Sequence, residues 1–403
     1  VKPALDPHAL ERRIRQKVQG AVHEFWVVCH PGFERTIARE IAEILSLPHA
    51  ELEVGFGGVK FRGRLEDCWK VNAMARTPSR ISMRIDEFRA TQFPELIRKV
   101  NEIPWELYLS PFAEGKINVS SRNSKLIHSD AIEQRVAIGI RNRLEPWQEV
   151  MSPPEPALTM PQMVLVRFEN DICTISMDTS GELLFKRGYD RFVEEAPLRD
   201  TLASCILQAA GWRECSTLYD LMAGSGTFAL EALLASQVET LPGKMRRFAF
   251  EEWPCFRHAA YAHLLKNLQP LPHLDGQRLV VTDLDPKALR TIQSNLKALP
   301  NSIGNAIQPS IGDFFASRPS HAHGAEALVV LNPPYGIRIA KSKSLYTRIG
   351  EKLMADYPQC RFAILCASPE DLQDLNLPVQ KRQISKHGGL PIVIAIGKIP
   401  SLK

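Results

Sequence analysis

At 403 residues, 44% hydrophobic and 24% charged, the chain carries more apolar material than one small core requires, and two or three domains are expected. No apolar run approaches the roughly 18 to 20 residues of a membrane span, and the opening VKPALDPHALERRIRQK is charged where a secretory signal has an apolar centre. A soluble, cytoplasmic protein with no membrane partner is expected. The eight cysteines are scattered, without a C-x-x-C pair or a histidine at zinc-finger spacing, so reduced thiols and no metal site are expected. A net charge of +5 does not mark a nucleic-acid binder, but from Lys60 to Lys99 ten basic residues stand against five acidic. Such an excess suits a phosphate-binding face and equally an ordinary solvated surface.

In chain order, EFWVVCH (residues 24–30) reads as a strand, turned at Pro31-Gly32 into FERTIAREIAEILSL, whose apolar residues recur at helical spacing. VGFGGVKFRG reads as a glycine-rich strand or hairpin, LEDCWKVNAMART as a helix, RISMRIDEF as a strand and PELIRKVNEI as a helix. This predicts an α/β region of small sandwiched units. GKINVSSRNSK reads as a strand, and SDAIEQRVAIGIRNRL as an amphipathic helix bearing Arg135, Arg141 and Arg143. Five prolines between Glu145 and Pro161 predict a connection without a core of its own. MVLVRFEND and ICTISMDTS then alternate as a β-hairpin around Asn170-Asp171. A boundary is expected near residues 185–197. Beyond it, near-continuous apolar strands at STLYDLM, RLVVTDLD, ALVVLNPP and RFAILCA alternate with helices, which predicts a doubly wound α/β domain built on a parallel sheet.

The segment TLYDLMAGSGTFALEALLAS is a strand, a turn on Gly224-Ser225-Gly226 and a helix opening at Thr227. Its spacing fits the G-x-G-x-x-A turn that lets a ligand approach the backbone; a tight turn without a ligand would hold the same glycines. A dinucleotide site wants an acid about 20 residues further on, and Asp283 lies far beyond that. No Gly-Lys-Ser/Thr of a phosphate loop follows either. S-adenosylmethionine suits the pattern better: Asp220 at one strand end can face the ammonium group, and Asp283 at the next can accept both ribose hydroxyls. Asp313, beside Phe314 at a third, can bond the adenine amine. All three acids fall on the carboxyl edge of one sheet, where open α/β folds bind ligands.

Asn332-Pro333-Pro334-Tyr335 follows the buried strand ALVVL. An exocyclic base amine is a poor nucleophile because its lone pair is delocalised into the ring. Acceptance of its hydrogens by the Asn332 side chain and the Pro333 carbonyl would hold the nitrogen and draw the lone pair outward. Proline fixes the backbone, and Tyr335 offers a face on which an extruded base can stack. A loop end with a surface tyrosine would look the same in isolation.

Taken as a set, KRGYD, APLRDTLAS, DLMAGSGTFALEALL, FAFEEWPCF, TDLDPKALRTIQSNL and LNPPYGIRI resemble the bacterial guanine-N2 RNA methyltransferases with a class I S-adenosylmethionine fold. PGFERTIAREI, GGVKFRGRLEDCWKVNAMART, IPWELYL and HSDAIEQRV are similar to that family's ferredoxin-like piece and THUMP RNA-binding domain. The resemblance implies a ferredoxin-like subdomain in residues 1–65, a THUMP domain in 66–178 and a Rossmann-like methyltransferase domain in 179–403. It implies a cofactor set of Leu198, Asp220, Ala223, Gly224, Ser225, Gly226, Thr227, Asp283, Leu284, Asp313 and Phe314, with Asn332, Pro333, Pro334 and Tyr335 at the acceptor amine. RNA is the implied partner, ribosomal RNA ahead of transfer RNA. The turn departs from relatives that have Pro-Met-Cys-Gly, through Leu221 and Ala223, and the second methyltransferase domain that some relatives carry is not expected within these 403 residues. A transfer-RNA guanine-N2 enzyme, a DNA adenine-N6 enzyme and a noncatalytic RNA-binding assembly factor are the competing readings. The THUMP-like half weighs against the DNA enzyme, and the complete site weighs against the noncatalytic factor.

Overall fold

The computed structural model describes residues 5–155, 157–193, 197–304, 306–319, 326–334 and 343–401. The strands of its first half are β1 (His23–Val28), β2 (Glu53–Gly55), β3 (Gly58–Gly63), β4 (Arg80–Arg89), β5 (Gly115–Arg122), β6 (Gln162–Glu169) and β7 (Ile172–Asp178). They form one sheet in the order β2-β3-β1-β4-β7-β6-β5. The small units expected here thus share a single sheet. The ten residues of β4 are the reason, since residues 80–83 pair with β1 on one edge (Met83 opposite Phe25) and residues 82–89 with β7 on the other (Arg89 opposite Ile172). Asn170 and Asp171 turn β6 into β7 with φ of 53° and 65°, the left-handed pair that a two-residue hairpin of this hand requires.

The second sheet holds β8 (Thr217–Asp220), β9 (Arg278–Asp283), β10 (Ser310–Ile311), β11 (Ala327–Leu331), β12 (Arg361–Cys366), β13 (Val379–His387) and β14 (Leu390–Lys398), in the order β10-β9-β8-β11-β12-β14-β13. The strands from β10 to β12 are parallel; β14 and β13 close the sheet as an antiparallel pair. Both faces are covered. Leu328 and Val330 share a core with Leu202 and Ile206 of helix Asp200–Ala209, whereas Val329 and Leu331 share one with Ile349 and Leu353 of helix Lys343–Asp356. Apolar residues at every position of β11 follow from burial on both sides.

The two halves share a core and a buried charge cluster. Arg76, from the first half, and Arg187 both pair with Glu231 of helix Thr227–Ala235, at 3.1 and 2.8 Å, and all three side chains are at most 5% exposed. Ser204 also donates to Glu231, and the Arg187 guanidinium donates to the Arg76 carbonyl at 2.7 Å. Burial works against the Glu231 carboxylate, but the two guanidinium charges outweigh it and hold the group below its usual range. Glu40 accepts the backbone N–H groups of Arg76 and Thr77 and the amide of Gln208, which ties helix Glu34–Leu45 to helix Asp200–Ala209.

One expectation is corrected. The connection predicted from Glu145 begins inside helix Ser129–Gln148, which continues through Pro146 because Leu144 and Trp147 are buried. The basic stretch 60–99 is in large part ion-paired. Lys60 pairs with Glu24 and Glu53, Arg80 with Asp178, Arg84 with Glu24 and Glu87, and Arg98 with Glu102, while Arg76 is buried. Arg143 likewise grips the buried Glu106 through two hydrogen bonds. All eight cysteines are buried free thiols. Among the described residues no helix is long and apolar enough to cross a membrane.

Candidate active site

Strand order reverses between β8 and β11, and the chain leaves the sheet there at Asp220 and Asn332. Asp220 stands in register with Val281 and Val330 on its two neighbours, so Asp283 and Asn332 each follow two residues beyond that level. Ile311 is in register with Asp283, which puts Asp313 two residues further along the same edge. The sheet thus brings Asp220, Asp283, Asp313 and Asn332 together at four adjacent strand ends, although 112 positions separate the first from the last.

Asp220 is 1% exposed. Its Oδ2 accepts the Ala229 N–H at 3.2 Å, and its Oδ1 is buried with no partner among the described residues. Burial pushes the carboxyl up to about 7, the Ala229 N–H opposes that, and the Asp283 charge adds to it. A buried carboxylate with an unused oxygen fits a ligand cation, since pairing would relieve the cost of burying the charge. Asp283 spans to the glycine turn: its Oδ2 accepts the Gly224 N–H at 2.8 Å and its Oδ1 the Asp285 N–H at 2.9 Å. Asp285 in turn caps helix Pro286–Lys297.

Gly224 and Gly226 have φ of 54° and 77°, the region that favours glycine. A Cβ on Gly226 would lie 2.9 Å from Ile292, so this turn packs directly on the next helix; a Cβ on Gly224 would meet nothing within 4 Å, leaving an open approach to the backbone. Ser225 and Thr227 are buried and Ala223 is half-buried. Leu198 is buried, with its carbonyl 3.4 Å from the Thr227 hydroxyl, and Leu284, beside Asp283, is 68% exposed. Asp313 accepts the Phe315 N–H at 2.9 Å. The Phe314 ring is buried between Phe315 and Tyr357, and the half-buried Phe315 lies under the Arg348 guanidinium.

Asn332 follows β11 with its side-chain Oδ1 buried and without a partner among the described residues. Pro333 is buried and Pro334 exposed; Tyr335 lies outside the described residues. The edge therefore offers two unused buried acceptors, Asp220 Oδ1 and Asn332 Oδ1, on adjacent strands. One suits a cation and the other an N–H donor. With the open side of Gly224 and the Asp283 carboxylate, these residues fit an amino-acid-bearing nucleoside such as S-adenosylmethionine.

Residues that sequence reasoning did not single out hold the turn in place. The Arg191 guanidinium pairs with Asp200 and donates to the Thr227 hydroxyl at 2.5 Å. The fully buried Asn295 accepts the Phe192 N–H at 2.7 Å and donates to the carbonyls of Phe192 and Ser225. Both sit in or beside segments already quoted for their resemblance, KRGYD, APLRD and TDLDPKALRTIQSNL, and that placement was the available signal.

The chain matches the model of an RMKL-like methyltransferase domain over residues 187–387, of an RlmL ferredoxin-like domain over 24–82 and of a THUMP domain over 90–178. It is 29% identical over 374 residues to a Synechocystis protein named "Putative RNA methyltransferase slr0064", covering 90% of this chain and 93% of that one. It is 28% identical over 384 residues to the ribosomal RNA large subunit methyltransferase K/L of Syntrophotalea carbinolica, covering 91% of this chain but 52% of the relative. The chain thus spans about half the length of the K/L protein. The solved structure of SMU.472 complexed with SAH shares the fold, with a TM-score of 0.80 at 24% identity over 95% of this chain and 99% of the other. The chain belongs to the family of THUMP-bearing, RMKL-like methyltransferases, with S-adenosylmethionine as its cofactor.

Proposed function

We propose that this protein, working in the cytoplasm, methylates the exocyclic N2 amine of a guanosine in RNA, with large-subunit ribosomal RNA as the substrate. The observation that carries this reading is the pair of unpartnered buried acceptors, Asp220 Oδ1 and Asn332 Oδ1, at adjacent strand ends. S-adenosylmethionine, when bound, supplies an electrophilic methyl group. Asp220 takes its ammonium group, Asp283 its ribose hydroxyls and Asp313 its adenine amine, while the open side of Gly224 admits it to the backbone.

Asn332 Oδ1 and the Pro333 carbonyl accept the amine hydrogens, fix the nitrogen and turn its lone pair outward. Tyr335 takes the stacking role on sequence grounds. No strong general base is needed, because an amine that has gained a methyl group is acidic and loses its proton to solvent. Positioning is the main contribution. Residues 66–178 are assigned RNA binding, residues 1–65 the ferredoxin-like support and residues 179–403 the chemistry. The name of the K/L relative supports ribosomal RNA.

Labelled cofactor incubated with separated ribosomal and transfer RNA, followed by nucleoside analysis, tests the assignment. N2-methylguanosine in the ribosomal pool is expected. The same nucleoside only in the transfer-RNA pool would move the substrate, and N6-methyladenosine would overturn the chemistry.

A further inference from the structure

We propose that the Phe56 hairpin tip and the basic edge strand β13 form a rim that binds a single-stranded stretch of the RNA substrate, with the Phe56 ring as a stacking platform for an unpaired base. This rests on the RNA reading above.

Phe56 joins β2 to β3 and is 92% exposed. The turn does not need its side chain, because Gly57, with φ of 76°, supplies the unusual conformation. The tip is nevertheless held firmly: the Gly57 carbonyl accepts the Cys29 N–H at 3.0 Å, and the Gly57 N–H donates to Glu34 at 3.0 Å. A ring presented to water on a fixed support forgoes the burial that stabilises aromatic side chains elsewhere.

Buried contacts connect this tip to the active site. From Cys29 the chain runs to His30, whose Nε2 is 3.0 Å from the Thr201 hydroxyl, and to Gly32, where a Cβ would lie 2.9 Å from the Ile384 carbonyl of β13. His387, at the end of β13, bonds the Pro197 carbonyl at 2.9 Å, one residue before Leu198, whose own carbonyl faces Thr227 in the glycine turn. These contacts fix the rim relative to the cofactor edge.

The charge along the rim suits that occupant. From Val379 to Leu390 the chain has Lys381, Arg382 and Lys386 and no acidic residue, and all three are exposed. Arg382 and Lys386 have no carboxylate partner among the described residues, unlike most of the basic stretch 60–99. The exposed Arg199 carries its guanidinium over the Phe185 ring. Ile384 and Leu390, at 58% and 56% exposure, add apolar surface between the charges. Aromatic and basic groups together are what binds single strands through base faces and phosphates.

The test uses the full chain and the RNA that it methylates. Phe56→Ala is expected to raise the RNA KM and Kd by about thirtyfold, the middle of the stacking range, with turnover at saturating RNA and cofactor affinity unchanged. Phe56→Trp is expected to restore wild-type values, which a folding defect would not permit. The double variant Arg382→Glu, Lys386→Glu is expected to weaken binding and flatten its dependence on salt. RNA affinity in Phe56→Ala equal to wild type would overturn the rim while leaving the RNA reading intact. Absence of RNA binding by the wild-type chain would overturn both.

Discussion

At neutral pH the buried Asp220 carboxyl stands midway between its protonated and ionised forms, since burial and the Asp283 charge push it up to about 7 against the single Ala229 N–H. Pairing with an ammonium group requires the ionised form and lowers the folded pKa in the complex. Cofactor binding therefore takes a proton off Asp220 below pH 7, and affinity falls as pH drops through 7, approaching tenfold per unit well below it. Calorimetry between pH 5.5 and 7.5 is expected to show that slope, and Asp220→Asn to bind weakly with the slope removed. Asp283→Ala loses both the brace on Gly224 and a charged acceptor, so cofactor affinity is expected to fall by roughly 1.5 to 3 kcal/mol; an unchanged dissociation constant would remove the ribose assignment. These acids were legible because each closes an apolar strand. Arg191 and Asn295 were not, because the atoms they hold lie 36 and 103 positions away and only their placement in or beside resembling segments marks them.

Strands β8, β9 and β11 were readable from their apolar runs, and the Asn170-Asp171 hairpin from its turn residues. Two-residue β10 was marked only by the Asp313-Phe314 pair that follows it, and the end of helix Ser129–Gln148 was obscured by Pro146. Helix Thr227–Ala235 serves two ends at once: its first residues form the cofactor turn, and Glu231 anchors Arg76 and Arg187. Glu231→Gln leaves two buried guanidinium groups without their counter-charge and is expected to cost about 3 to 5 kcal/mol at pH 7. Since the folded-state pKa is depressed, that stability is present above the unfolded value and is lost as pH falls towards the folded one. Urea titrations of the two proteins are expected to differ widely at pH 7 and to draw together as pH falls from about 4 towards about 2. Equal midpoints at pH 7 would contradict this role.

Over the whole molecule, the change from mixed elements to alternating strands and helices was visible in composition, but the union of the halves was not. Arg76 and Glu231 are 155 positions apart, and β4 binds both ends of its sheet through backbone groups that carry no sequence signature. One core runs from Leu10 to Ile396. Thermal unfolding followed by near-ultraviolet dichroism and by loss of cofactor binding is accordingly expected to give coincident transitions; separate midpoints would show that the halves unfold independently. Function at this scale depends on RNA and cofactor meeting at the switch in strand order, beside Asn332. The most direct measurement is single-turnover transfer of labelled methyl to RNA by the wild-type chain and by Asn332→Ala, with nucleoside analysis of the product. The expected result is N2-methylguanosine from the wild type, and from Asn332→Ala a rate lower by two orders of magnitude or more, about 3 kcal/mol, at unchanged cofactor affinity. Near-normal transfer by Asn332→Ala, or label on any other nucleoside, would contradict it.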